Sequence, residues 1–172
     1  MRYLWIVLLC LLCSCTSIPE GLKVVDGFEL PRYLGTWYEI ARLDHSFERG
    51  LTDISADYSL RDDGGVKVLN SGYEVEQGQR KIAEGKAYFI DTADIGRLKV
   101  SFFGPFYGAY NIIALDKVGY RYAMIAGPDR DYLWILARSP NLETNIKQEL
   151  IQQAKALGFA TEKLIFDQHP PQ

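Results

Sequence analysis

Few side chains in the sequence are suited to covalent chemistry or metal binding. The chain has two histidines, His45 and His169, and its three cysteines all lie within the first fifteen residues. Neither histidine stands at metal-ligand spacing from another histidine or cysteine, and the sequence contains no serine nucleophile elbow and no glycine-rich phosphate loop. We therefore expect no catalytic site, no metal site and no cofactor. The lack of later cysteines excludes a disulfide framework.

Cys15 is the one cysteine in a functional context. Met1-Arg2 supplies a positive charge, residues 3–12 are apolar, and Leu12-Cys13-Ser14-Cys15 resembles the bacterial lipobox, in which a small residue precedes the acylated cysteine. About ten apolar residues rise roughly 15 Å as a helix, half of a bilayer core, which disfavours a permanent span. We interpret residues 1–14 as a lipoprotein signal peptide, Cys15 as a palmitate-type lipid anchor and residues 15–23 as a polar tether.

The residues after Cys15 indicate which membrane would hold the anchor. Thr16 and Ser17 differ from the aspartate that resembles an inner-membrane retention signal. We therefore expect an outer-membrane anchor with the domain facing the periplasm.

Composition limits the rest of the chain to one domain. The 172 residues are 48% hydrophobic and 13% aromatic, enough for one sizeable core. A formal charge of -3 and the lack of a lysine or arginine cluster remove the electrostatic attraction on which nucleic-acid binding depends. We expect no nucleic-acid partner.

The pattern from residue 24 onward predicts an all-β fold. Short alternating segments are separated by turn residues at a spacing typical of an antiparallel sandwich or barrel. The predicted strands are 35–43, 54–60, 66–73, 82–90, 97–103, 110–116, 122–127 and 132–137. One amphipathic helix follows, opened by Ser139-Pro140 and ended by Gly158, and then a short strand at 163–166. Eight antiparallel strands can close into a barrel wide enough for side chains or one small ligand, with the helix packed outside.

Three sequence blocks carry a family resemblance. Residues 35–39 (GTWYE), residues 129–132 (DRDY) and Arg138 look like the three signature blocks of the lipocalins, in the right order and spacing. Further segments at 33–42, 47–50, 84–87 and 134–140 resemble the bacterial outer-membrane lipocalins and their apolipoprotein D-like relatives. The resemblance covers residues 24–168, which we take as the domain, and leaves residues 169–172 as a tail.

The resemblance implies an eight-stranded antiparallel up-and-down barrel that binds a fatty acid or lysophospholipid-like ligand. It implies that Trp37 closes the narrow end against Arg138, and that Trp134 faces inward. Strand alternation from these positions then predicts the pocket. The predicted ligand-binding residues are Tyr58, Asn70, Phe102, Tyr110, Ile112 and Trp134.

Two further features concern the same barrel. Glu39 shares a face with Trp37, so its carboxyl needs a buried partner or a raised pKa, and we expect a structural hydrogen bond there. Residues 102–110 carry five aromatic side chains around glycines and a proline. As a loop at the open end they would serve as a ligand gate, a membrane-facing lip or a homodimer contact.

Two alternatives to a lipid binder remain at this point. One is an envelope scaffold or assembly protein whose barrel is filled with side chains, which the volume of the cavity would reveal. The other, less favoured, is an enzyme acting on lipids, which an assay for lipase or esterase turnover would detect.

Overall fold

Nine antiparallel strands form one sheet that closes on itself in the computed structural model, which describes residues 16–170. The predicted signal peptide and Cys15 lie outside the described residues. In chain order the elements are helix α1 (Leu30–Tyr33), β1 (Gly35–Arg42), β2 (Leu51–Leu60), β3 (Val66–Glu74), β4 (Gln79–Phe89), β5 (Arg97–Phe103), β6 (Phe106–Leu115), β7 (Tyr122–Ala126), β8 (Leu133–Ala137), helix α2 (Thr144–Ala156), a 3₁₀ turn (Thr161–Lys163) and β9 (Ile165–Phe166).

Strand β1 closes the barrel because it pairs on both sides. Gly35 lies opposite Tyr58 of β2, and Tyr38 lies opposite Ala137 of β8. Strand β9 adds to the outside of β1 at residues 41 and 42. This confirms the predicted eight-stranded up-and-down barrel with one further short strand. The closed end holds the connections 61–65, 90–96 and 116–121, and the mouth holds the connections 43–50, 75–78, 104–105 and 127–132.

Helix α2 covers the outer face of the barrel. Leu150 and Ala154 of the helix are buried in one cluster with Leu133 and Ile135 of β8. Gly158, with a φ of +86°, ends the helix, and the Phe159 N–H donates to the Ala154 carbonyl. Within residues 16–170 no helix is long and apolar enough to cross a membrane.

The predicted start of this helix is wrong by about one turn. The helix begins at Thr144 rather than at Ser139-Pro140. The Ser139 hydroxyl accepts the Asn141 N–H at 3.2 Å, which holds this segment in a bend. A short hydroxyl side chain that bonds nearby backbone competes with the helix for it, so the first helical turn forms only after the bend.

The aromatic segment 102–110 is a hairpin rather than a loop. Phe103 ends β5, Phe106 begins β6 and the two residues pair directly, so that only Gly104 and Pro105 form the turn. The peptide bond between these two residues is cis. Phe103 is 79% exposed and Phe106 is 78% exposed. The expectation of exposed rings at the mouth is met, but on two rigid strands.

The tether predicted at 15–23 is docked on the barrel wall over its described part. Arg97 donates to the Thr16 carbonyl at 3.2 Å, and Asn111 donates to the Ser17 carbonyl at 3.0 Å. The Ser17 hydroxyl donates to the Pro128 carbonyl at 3.0 Å. Leu22 is buried in the helix-side cluster. Residues 16–22 therefore behave as part of the domain.

The C-terminal segment closes a gap in the sheet. Pairing of β1 with β2 stops at Ser55, which leaves the N–H groups of Asp53 and Ile54 without partners in β1. The Asp167 carboxylate accepts both of these N–H groups, at 3.0 and 2.6 Å. The imidazole of His169 packs beside it, with Nε2 2.7 Å from the Glu39 carbonyl.

We expect the substitution Asp167→Ala to lower the free energy of unfolding by roughly 1–3 kcal/mol, because it leaves two partly buried N–H groups without acceptors. Urea denaturation followed by circular dichroism measures the change. Asp129→Ala is the matched control, since among residues 16–170 Asp129 accepts only the exposed N–H of Asp131. Equal stability of the two variants would contradict this role of Asp167.

Candidate ligand-binding site

An aromatic and cationic floor fills the closed end of the barrel. Trp37 is fully buried, and its indole N–H donates to the Tyr33 carbonyl at 2.8 Å. The guanidinium carbon of Arg138 lies 4.1 Å from the centroid of the Trp37 ring. Arg138 also donates to the carbonyls of Thr36 and Leu34, each at 2.8 Å. One guanidinium thus covers the ring and joins β8 to the start of β1.

Three tyrosine hydroxyls meet above this floor. Tyr110 lies at the centre, with its hydroxyl 2.7 Å from that of Tyr33 and 2.9 Å from that of Tyr58. Burial raises the pKa of all three phenols well above the ordinary value. The three hydroxyls therefore stay protonated and hydrogen-bonded to each other at physiological pH.

The cavity beside these tyrosines is very small. It has a volume of about 10 Å³, close to the least that holds one water molecule. Its lining residues are Phe28, Leu30, Tyr33, Tyr58, Val66, Ala87, Leu98 and Tyr110. The closed half of the barrel is filled, and an acyl chain has no room there. A larger groove of about 320 Å³ lies outside the barrel, between α2 and strands β6 and β7.

The mouth half of the barrel is different because its wall carries small side chains. Ala56, Asn70 and Ala83 are neighbours across β2, β3 and β4. On the inward face of β4, Ala87 is buried, whereas Ala83 is exposed. Solvent therefore reaches the inner wall from the mouth. The Asn70 side-chain oxygen is buried and has no hydrogen-bond partner among residues 16–170.

Aromatic rings face this row of small residues. A Cβ atom on Gly85 would lie 2.8 Å from the Phe102 ring, so the glycine makes room for that ring inside the barrel. Phe102 and Trp134 are half-buried and pack against the interior cluster. The inner wall of the open half therefore carries aromatic side chains on β5 and β8 and small side chains on β2 to β4.

A buried ionic cluster lies at the mouth beneath the connection 43–50. The Trp134 indole donates to the Glu48 carboxylate at 3.0 Å, and His45 Nε2 lies 2.9 Å from the same carboxylate oxygen. Arg42 donates to Glu39 at 2.5 Å and to the Glu48 carbonyl at 3.2 Å. These contacts fix the connection over one side of the mouth.

The pKa values of the two carboxyl groups in this cluster, Glu39 and Glu48, are shifted in opposite directions. Burial raises the pKa of Glu39 well above its ordinary value, and the charge of Glu48 adds to this, although Arg42 opposes it. Burial also acts to raise the pKa of Glu48, but His45, Trp134 and Arg42 outweigh it and leave that pKa below its ordinary value. Glu48 is therefore the anion of the mouth.

The geometry of the barrel agrees with sequence comparison. A family model described as a lipocalin-like domain matches residues 28–169. The chain belongs to the lipocalin family. Outer membrane lipoprotein Blc of Vibrio cholerae is 51% identical to this lipocalin over 169 residues, which cover 98% of the chain and 99% of the relative. Outer membrane lipoprotein Blc of Escherichia coli K12 is 55% identical over 158 residues, covering 92% and 89%.

A solved structure supports the fold of this lipocalin independently. Insecticyanin from the tobacco hornworm Manduca sexta superposes with a TM-score of 0.71 over 90% of the chain and 88% of that protein. The sequence identity is 23%. At this identity the likeness concerns the barrel architecture alone.

All the predicted pocket residues face the interior of the lipocalin barrel, but they lie at different depths below its mouth. Tyr58, Tyr110 and Ile112 belong to the filled half, and Ile112 is fully buried. Asn70, Phe102 and Trp134 line the open half. Leu133 and Trp134 fall on opposite faces of β8, since Leu133 packs under the helix and Trp134 packs inside.

The ionic cluster of the lipocalin mouth was not predicted beyond Glu39. Regular alternation would place Glu39 and Arg42 on opposite faces of β1. A register shift between Glu39 and Ala41 turns both side chains inward, opposite Leu136 and Trp134. The signal available in the sequence is the pair of charges three residues apart within an otherwise apolar strand.

Proposed function

We propose that this lipocalin is an outer-membrane lipoprotein, held by an acylated Cys15, that stores or carries a fatty acid or lysophospholipid-like molecule in the mouth half of its barrel. The names of its bacterial relatives support the location. The observation that carries the ligand proposal is an apolar inner wall that solvent reaches only in the mouth half, above a filled floor. The proposal is one of binding without catalysis.

The shape of the open half favours a ligand with one flexible apolar chain. The three tyrosines above the floor stop entry into the closed half, so the acyl chain of the ligand lies against Phe102 and the ring of Trp134. The free oxygen of Asn70 would accept a hydrogen bond from a hydroxyl or ammonium group on the ligand.

Substitutions at Trp134 and Leu133 test the pocket. Trp134→Ala removes ring surface that an acyl chain would cover, so the affinity for a lysophospholipid should fall by about 1–3 kcal/mol. Leu133→Ala is the matched control, because Leu133 is fully buried under α2 and should change stability rather than affinity. Fluorescence titration with lysophosphatidylethanolamine measures the affinity, and thermal melting of the same samples measures stability.

The substitution Trp134→Phe separates the ring from its hydrogen bond to Glu48. It keeps an apolar ring and removes the indole N–H, so we expect affinity to stay close to that of the parent protein. Weaker lipid binding by Leu133→Ala, together with unchanged binding by Trp134→Ala, would mean that Leu133 rather than Trp134 faces the interior. That result would overturn the proposed pocket.

The small floor cavity favours a second candidate function. A lipoprotein whose barrel is filled would act as an envelope scaffold rather than a carrier. A titration that shows no saturable lysophospholipid or fatty-acid binding by the folded protein would favour the scaffold.

A further inference from the structure

We propose that the outer face of strands β4 to β6, together with the tip of the β5–β6 hairpin, docks on the phospholipid leaflet that holds the anchor. This inference rests on the proposed acylation of Cys15. It adds an orientation: the barrel lies on its β4–β6 side, with Phe103 and Phe106 inserted among the lipids. We call this surface the docking face; it comprises Lys86, Tyr88, Lys99, Phe103, Phe106 and Tyr107.

The first argument is where the chain leaves the barrel toward the anchor. Thr16 is held by Arg97, the first residue of β5, and Ser17 is held by Asn111 of β6. Arg97 and Asn111 are cross-strand partners. The described part of the chain therefore begins directly beside these two strands, one residue after the proposed anchor. A bilayer that holds the acyl chains must therefore lie close to the β5–β6 wall.

The second argument is the apolar tip of the same two strands. Phe103 lies six residues beyond Arg97 along β5, about 20 Å at the rise of a strand, and Phe106 lies opposite Phe103 on β6. Both rings are more than three-quarters exposed. Exposed rings next to each other on a hairpin are costly in water and favourable in the interfacial region of a bilayer.

The third argument is the chemistry of the wall between the anchor and the tip. Tyr88, Lys99 and Tyr107 lie together on its outer side, with the Lys99 ammonium 5.0 Å from the centroid of the Tyr107 ring. Within residues 16–170, neither Lys86 nor Lys99 forms an ion pair. The nearby acids are neutralised: Glu84 by Lys67, Asp91 by Arg97 and Asp63 by Arg61. Tyrosines and unpaired lysines are side chains that suit an anionic membrane surface.

Quenching by brominated lipids tests this orientation in the full, lipidated protein. The protein is reconstituted in phosphatidylethanolamine/phosphatidylglycerol vesicles whose acyl chains carry bromine, and Phe106→Trp supplies a reporter. Val118→Trp is the matched control, because Val118 is 90% exposed at the closed end. We expect the reporter at position 106 to lose most of its fluorescence and the reporter at 118 to lose none. Lys86→Gln and Lys99→Gln each remove one positive charge and should each lower the ratio of docked to undocked protein about fivefold.

Three results would overturn the proposal. Protein that binds the vesicles without quenching at position 106 would show that the lipid anchor works but that the docking face does not lie on the membrane. Equal quenching at 106 and 118 would mean that no particular face lies on the membrane. A second copy of the chain covering the tip would show as an unquenched reporter together with a dimer that Phe106→Ser dissociates.

Discussion

Replacement of Trp37 by alanine is expected to lower the free energy of unfolding by about 3–5 kcal/mol. The ring has no exposed surface, packs at a tilt against Tyr33 with 4.6 Å between ring centroids, and lies under the Arg138 guanidinium. Its removal leaves a cavity that the surrounding strands cannot close, because β1 is bonded on both sides. It also removes the indole donor of the Tyr33 carbonyl.

Chemical denaturation measures this loss, and a lysophospholipid titration on the same sample shows whether the pocket is affected. Because Trp37 lies in the floor beneath the three tyrosines, the folded variant should bind lipid with nearly the parent affinity. Val118→Ala, at an exposed position of the same end, should leave stability unchanged. An unchanged midpoint together with lost lipid binding would mean that Trp37 belongs to the pocket and not to the floor.

The strands could be predicted well because their signals are local. The prediction for β5, residues 97–103, agrees with the structure at both ends. Charged turns such as Arg61 to Gly65 punctuate the alternation. The predictions for the start of β6 and the start of α2 are wrong for different reasons. Aromatic residues next to glycine and proline suggested a loop where the hairpin simply continues, and proline in Ser139-Pro140 suggested a helix start that a serine side chain prevents.

The depth of each pocket residue could not be predicted, because it depends on what fills the space from elsewhere. Alternation puts Tyr58, Tyr110 and Trp134 on the inner wall. It cannot show that Tyr33, from the short helix before β1, reaches in to bond Tyr110 and fill the lower half. Likewise, the bulge that turns Arg42 inward depends on how β1 pairs with β8, and the alternation of residue types in β1 does not reveal it.

The same limit applies to the segment after Cys15. Short polar residues with Pro19 and Gly21 predict a polar tether between the lipid and the domain. The docking of residues 16–22 uses backbone carbonyls as acceptors for Arg97, Asn111 and Arg130. Backbone acceptors are present in every sequence, so composition alone does not reveal that they are used.

The attachment of residues 16–22 to the barrel indicates what loss of the lipid anchor should do to the protein. The hydrogen bonds that hold Thr16 and Ser17 involve no lipid, so a chain without acylation should keep its barrel and its pocket. Several acyl chains on one residue give stable anchoring, whereas exposed rings and lysines give only weak and reversible attachment. The anchor and the docking face are therefore separable by the strength of membrane binding that each supplies.

The substitution Cys15→Ala is accordingly expected to abolish labelling with radioactive palmitate and to move the protein from the membrane fraction to the soluble fraction, with thermal melting unchanged. Cys13→Ala is the matched control: it alters a neighbouring cysteine of the same segment and should retain both label and membrane association. Residual binding of the Cys15→Ala protein to anionic vesicles should be weak and should disappear at high salt, because it depends on Lys86 and Lys99. Retention of the palmitate label by Cys15→Ala, or its loss in Cys13→Ala, would show that another residue carries the lipid.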